Sequence, residues 1–115
     1  MMSRKSERVD LLQGTLDLLI LRTLLLGPMH GHGIGKAIQR CSEDLLQIDH
    51  GSLYPALHRM VRKGWLASDW QDTSKGRPMK FYRLTAAGRR QLAAERSNWE
   101  QMCRAIGLVL KGAQG

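Results

Sequence analysis

Asp49-His50-Gly51-Ser52-Leu53-Tyr54-Pro55-Ala56-Leu57-His58-Arg59-Met60-Val61-Arg62-Lys63-Gly64 is the stretch on which the reading of this chain turns. Leu53, Leu57, Met60, Val61 and Gly64 recur at the spacing that puts them on one side of a helix. Asp49 carries the acceptor oxygen that would cap such a helix at its start. The opposite side holds Pro55, His58, Arg59 and Arg62, with Gly51, Ser52 and Tyr54 at the exposed start and flanks. That outer face has hydrogen-bond donors and no acid. Pro55 offers no backbone N–H, so the helix is expected to bend or loosen in its first turns.

Working outward, residues 11–26 are apolar on nearly every side, which predicts a first helix buried against several neighbours and stopped by Gly27-Pro28. Gly31–Cys41 places Ile34, Ala37, Ile38 and Cys41 at helical spacing with Lys36, Gln39 and Arg40 turned away, a second, short helix. Beyond the central stretch, residues 65–71 and Met79–Leu84 read as two strands around the turn-forming segment Asp72-Thr73-Ser74-Lys75-Gly76-Arg77-Pro78. Thr85 then caps a last helix to about Lys111, in which Leu92, Trp99 and Ile106 recur every seven residues with Met102 and Val109 between them. The order predicts a mainly α chain with a small β-hairpin wing: a winged helix-turn-helix followed by a dimerisation helix. The expected boundaries are a flexible basic arm at 1–8, the winged unit at 9–85, and the dimerisation helix and tail at 86–115.

The chain of 115 residues holds 18 Lys and Arg against 10 Asp and Glu, a formal charge of +8. That length builds one ordinary domain with no room for a separate catalytic one. The charge favours a polyanion, either nucleic acid or an anionic membrane surface, provided the basic residues gather on one face. Cys41 and Cys103 are the two cysteines and form no CxxC pair, which argues against a disulfide framework or a zinc ribbon and fits a reducing cytoplasm. The apolar run 16–26 is interrupted by Asp17 and Arg22 and is shorter than the roughly 20 residues of a spanning helix, so no membrane anchor or export signal is expected.

A recognition helix enters the major groove by its N-terminal half, where Ser, His and Arg reach base edges while Tyr and Arg hold phosphates. Gly51 would let backbone approach the duplex closely. Charged helical residues more often just solvate an outer face. Here Lys75, Arg77 and Lys80 add a second basic element, a wing tip expected to reach a neighbouring minor groove.

Three blocks, Leu12-Gln13-Gly14-Thr15-Leu16, Gly51-Ser52-Leu53-Tyr54-Pro55-Ala56-Leu57-His58-Arg59-Met60 and Lys80-Phe81-Tyr82-Arg83-Leu84-Thr85-Ala86-Ala87-Gly88-Arg89, closely resemble the PadR family. The resemblance spans roughly residues 9–90, and its middle block is not a generic helix-turn-helix pattern. It implies a homodimeric transcriptional regulator, usually a repressor, in which the region of Ser52, Tyr54, Pro55 and His58 meets operator DNA and the wing near Arg77 and Lys80 touches its backbone. The C-terminal part is short, like that of the family's smaller members. Asp49-His50 departs from the small residue and proline common in the family before the glycine. An acid at the groove entrance would repel phosphate unless it caps the helix, and capping is the expectation.

Other readings are plainer. His30 and His32 flank Gly31 in a turn with no Cys or carboxylate cluster nearby, so no metal site is expected. His58 lacks a nucleophile and an orienting acid, and with no cofactor motif the chain is not expected to be an enzyme. Trp65 and Trp70 are assigned to the core and the wing base. Trp99 sits on the heptad edge, where an indole spoils close packing between two helices. With Met102, Cys103 and Ile106 it would either pack a dimer or line a site for a flat apolar effector. The expected partners are thus operator DNA with an inverted repeat, a second copy of the chain and a small hydrophobic effector. The alternative is a basic interaction module that binds an acidic protein or an anionic membrane surface.

Overall fold

The computed structural model describes residues 14–74 and 76–112. The expected basic arm at 1–8, the start of the first helix at 11–13, Lys75 and the last three residues of the tail lie outside them. The elements run α1 (Thr15–Leu24), β1 (Met29–His30), α2 (Gly31–Cys41), α3 (His50–Arg62), β2 (Leu66–Gln71), β3 (Met79–Leu84) and α4 (Ala86–Lys111). This is the winged helix-turn-helix arrangement with a long terminal helix that the periodicities predicted.

α1 touches α2, α3, α4 and β3, which explains its apolar residues on most sides. Ile20, Leu21 and Leu24 are its buried members. It ends two residues earlier than the apolar run suggested: Leu25 and Leu26 form a turn closed by Gly27 N–H to the Leu24 carbonyl at 3.1 Å, and Leu26 is exposed. Past Pro28, Met29 and His30 form a strand and not a plain turn. They pair antiparallel with Tyr82 and Phe81 of β3, so the sheet has three strands in the order β1-β3-β2.

α2 starts where β1 ends, because His30 serves both. Its backbone pairs with Phe81, and its Nδ1 accepts the Gly33 N–H at 3.0 Å, capping the helix. Capping requires an unprotonated Nδ1, so the imidazole contributes an acceptor here. Gly31 is buried, and a Cβ there would lie 2.7 Å from the Tyr54 hydroxyl oxygen and 2.8 Å from its Cζ, so any other residue would have to push the end of the Tyr54 side chain aside. Ile34, Ala37 and Ile38 form the buried stripe. Cys41, expected on that stripe, is exposed at the last turn, beyond the reach of the neighbouring helices.

α3 buries Leu53, Ala56, Leu57 and Met60. Its start is fixed by Asp49, whose Oδ1 accepts the Ser52 N–H at 2.7 Å, the cap expected from the sequence. Asp49→Ala should cost about 1 kcal/mol, the usual worth of a lost N-cap, read as a lower urea midpoint with unchanged slope. An unchanged midpoint would mean that the cap contributes nothing. Pro55 stands inside the helix, which runs through it from His50 to Arg62.

The hairpin keeps strict register, with Leu66 opposite Leu84, Ser68 opposite Tyr82 and Trp70 opposite Lys80. Leu66 and Tyr82 join Ile20, Leu21, Leu24, Ile34, Ile38, Leu53, Leu57, Met60 and Leu92 in one core. Thr85 caps α4 as expected, its Oγ1 accepting the Gly88 N–H at 3.0 Å. Only Gly88 and Leu92 of α4 are buried, and residues 101–112 are all exposed. Among the described residues no helix is long and apolar enough to cross a membrane.

Candidate nucleic-acid interface

The outer surface of α3 is built from His50, Gly51, Ser52, Pro55, His58 and Arg62, all exposed. The helix contains no carboxylate. The nearest acid, Asp49, has one oxygen committed to Ser52 N–H, so the start of α3 presents a capped helix end and not a bare negative charge. Pro55 has no N–H to give the Gly51 carbonyl four residues back, which leaves an acceptor at the same exposed edge. Gly51 is not demanded by the fold. A Cβ there would meet only Asp49 Oδ1, at an ordinary 3.5 Å. Its exposure at the head of this face suits close approach of an outside partner.

Two residues expected on this face do other work. Arg59 is turned to α1, where its two terminal nitrogens each donate to one Asp17 carboxylate oxygen at 2.9 Å. A forked pair of this kind occupies the guanidinium, so Arg59 is corrected from a DNA-face residue to the tie between α3 and α1. Tyr54 is half-buried. Its outer edge lies against Gly31 and its ring meets the His50 ring edge-on at 5.6 Å, so it links the starts of α2 and α3.

His50 in turn meets His32, centroid to centroid 6.0 Å. These two histidines, with Lys36, Gln39, Gln47 and Asp49, line a surface pocket of about 390 Å³ between α2 and α3. The sequence reading weighed His32 only as a metal ligand and His50 only as a departure from the family pattern, and did not place the two together. The available signal was position, since each stands in the first turn of its helix. Among the described residues no group of three His, Cys, Asp or Glu is placed to hold a metal ion.

On the wing, Arg77 is exposed at the tip, and the turn is tied by Thr73 Oγ1 donating to the Arg77 carbonyl at 2.7 Å and by Gly76 N–H to the Thr73 carbonyl at 3.0 Å. Lys75 is outside the described residues. The Lys80 ammonium stands over the Trp70 ring, 5.9 Å from its centroid. Trp70 itself stands on the wing and is 68% exposed, so of the packing expected at the core and the wing base it has no part in the core: β2 outruns the helices before it reaches this residue. Trp65, by contrast, packs against the core, with Lys63 over its ring at 4.8 Å.

A groove of about 580 Å³ runs between the start of α1 and the middle of α4, lined by Asp17, Lys63, Trp65, Trp99, Met102 and Ile106 among others. Three of the four residues expected around an effector are therefore brought together, while Cys103 is exposed elsewhere on α4. Leu92, expected at an interface with a second copy, is spent on the chain's own core. Ile106 and Val109 are 44% and 77% exposed among the described residues.

Comparison with known proteins agrees with this geometry. The profile of the transcriptional regulator PadR-like family matches residues 20–94. An uncharacterised protein of Lysinibacillus sphaericus is 29% identical over 107 residues, 93% of this chain and 98% of the relative. A transcriptional regulator of Mycobacterium tuberculosis is 37% identical over 68 residues, 59% of this chain and 63% of that protein. Among solved structures, a PadR family transcriptional regulator from Eggerthella lenta superposes with a TM-score of 0.76 at 31% identity, covering 87% of this chain and 85% of its own. A transcriptional regulator from Clostridium thermocellum gives 0.77 at 27% identity, covering 83% and 92%.

Proposed function

The chain belongs to the PadR-like family of transcriptional regulators, a family of non-enzymatic proteins, and from that premise we propose that it binds an inverted-repeat DNA operator as a homodimer and represses by excluding the transcription machinery. The observation that carries this is the outer face of α3, exposed, free of carboxylates and capped at the end that would enter the major groove. Ser52, His58 and the Gly51 backbone are the base-facing groups, Arg62 a phosphate contact, and Arg77 with Lys80 the wing contacts. In domain terms, residues 9–85 form the DNA-binding unit and 86–115 the association helix, and the protein works in the cytoplasm where its operator is.

Two α4 helices associating through Met102, Ile106 and Val109 would cover apolar surface too large to stay in water. The association sets the two α3 helices about one turn of DNA, ~34 Å, apart. Replacing Ile106 and Val109 together by Asp should weaken the dimer by about tenfold or more, seen as a shift to monomer in sedimentation, because each buried carboxylate lacks a partner. Unchanged sedimentation would place the dimer contact elsewhere. The groove at Trp99 is the natural seat for a flat apolar effector that releases DNA, being aromatic on two sides through Trp65 and Trp99. Tryptophan emission that stays constant across a panel of aromatic compounds would remove that role.

Selection of random duplexes by the purified protein at moderate salt, followed by sequencing, tests the main reading. An enriched inverted repeat is expected. Binding without enrichment would leave a basic interaction module and overturn the operator reading, since sequence-independent affinity needs only phosphate contacts.

A further inference from the structure

We propose that Trp70 and Lys80 form a clamp on the DNA backbone, the indole packing on the sugars of one strand while the ammonium meets a phosphate of the same strand. The proposal rests on the DNA-binding reading above and adds to it a contact residue, Trp70.

An indole that is 68% exposed on a regular strand has no role in this chain's core. Its register partner is Lys80, so both side chains leave the same face of the hairpin, and the ammonium lies 5.9 Å from the Trp70 ring and 6.0 Å from the Tyr82 ring. That face reads Leu66, Ser68, Trp70 on β2 and Lys80, Tyr82, Leu84 on β3. It contains no acid. The acid of the hairpin strands, Asp69, emerges on the reverse face and pairs there with Arg83 at 3.4 Å. The cation over Trp70 is therefore not neutralised from its own side of the sheet.

The inner end of this face packs on the core through Leu66, Tyr82 and Leu84. Tyr82 is buried where the wing joins the core, and its hydroxyl is held above the ordinary tyrosine range by that burial first and by the nearness of Tyr54 second. Tyr54 meets His50, and His50 meets His32. Those rings belong to the helix side of the site; on this face of the wing the ring open to a partner is that of Trp70, since Tyr82 is 3% exposed. An exposed indole beside a cation, on a face without an acid, matches a sugar and its neighbouring phosphate, since the ring takes the apolar edge of the sugar and the cation takes the charge. The exposed end of α4 is the opposite case: Ile106, Leu108, Val109 and Leu110 form a surface of a kind suited to a second copy of the chain.

The test uses the full chain and a labelled duplex, the enriched sequence or, at low salt, one of mixed sequence. Trp70→Ala is expected to bind about tenfold more weakly with an unchanged salt slope, because no charge is lost, while Trp70→Phe restores most of the affinity. Lys80→Gln should lower the slope by about one phosphate. Adding duplex should quench tryptophan emission in the parent protein and much less in Trp70→Phe. If Trp70→Ala binds as the parent does while Arg62→Ala is weakened, the DNA-binding reading stands and the clamp is wrong. A Trp70→Ala effect confined to sedimentation would make this face a self-association surface and overturn the clamp. A parent protein that binds no duplex would overturn both readings.

Discussion

Arg59→Met should destabilise the protein by about 2–3 kcal/mol at neutral pH, less than the 3–5 typical of breaking a buried pair because the arginine side chain is 40% exposed. The cost comes from Asp17, which is 15% exposed and loses both of its 2.9 Å donors when the guanidinium is removed. Burial holds the Asp17 carboxyl above the ordinary carboxylate range, and the charges of Arg59 and then Lys63 offset only part of that rise. The folded state therefore binds this proton more tightly than the unfolded chain does. The resulting contribution to stability is full below the unfolded value and is lost as pH rises through the raised folded one. Without Arg59 the folded value climbs further. The deficit of Arg59→Met relative to the parent should then be complete at neutral pH and shrink as acid protonates Asp17. The double variant Asp17→Asn, Arg59→Met should be more stable than Arg59→Met alone, since the unpaired charge has gone. Equal melting of the single and double variants, at every pH, would show that the pair is a surface contact of no energetic weight.

In the proposed function this pair would link the two sites. Asp17 lines the groove between α1 and α4, and Arg59 stands on the helix proposed to read DNA. The two proposed sites share one ion pair, so a ligand in the groove that drew on Asp17 would loosen the tie holding α3 to α1.

What was legible in the sequence and what was not divides along sequence distance. The caps by Asp49 and Thr85 were readable because each side chain bonds an N–H three residues on. The apolar stripes of α2 and α3 were readable because helical periodicity is a local signal. β1 was not, since two residues carry no alternation and Met29–His30 becomes a strand only by pairing with Phe81 and Tyr82. Arg59 misled for the same reason: its position on the helix wheel sits at the edge of the outer face, and the partner that decides its role is 42 residues away. Trp70 shares a face with Leu66 and Tyr82, which are buried, so alternation alone sends it to the core. What alternation does not contain is where the core ends along the strand.

Gly88→Ala should cost at least about 3 kcal/mol, a sign opposite to that of the same exchange at an open helical site, where alanine gains up to about 1 kcal/mol. A Cβ at Gly88 would overlap the Trp65 carbonyl oxygen and stand 2.8 Å from Leu84 Cδ1. Backbone cannot yield as a side-chain tip does. That carbonyl also accepts the Thr85 N–H at 3.1 Å, and the Thr85 hydroxyl reaches the Gly64 carbonyl at 2.6 Å with the Trp65 carbonyl at 2.9 Å as its longer alternative, so the first turn of α4 is seated on the chain just after α3. Gly107 on the same helix offers the control, because nothing lies within 4 Å of a Cβ there. Gly107→Ala should raise the melting temperature of the chain and Gly88→Ala should lower it. The junction matters beyond stability: it sets the direction in which α4 leaves the winged unit, and with it the spacing of two α3 helices in the proposed dimer. Gly88→Ala, at a temperature where it remains folded, should bind a single half-site nearly as the parent does and lose the preference for two half-sites at fixed spacing. Retained preference would mean that α4 can pivot at Thr85 without disturbing the dimer, and that the close seat at Gly88 serves the core alone.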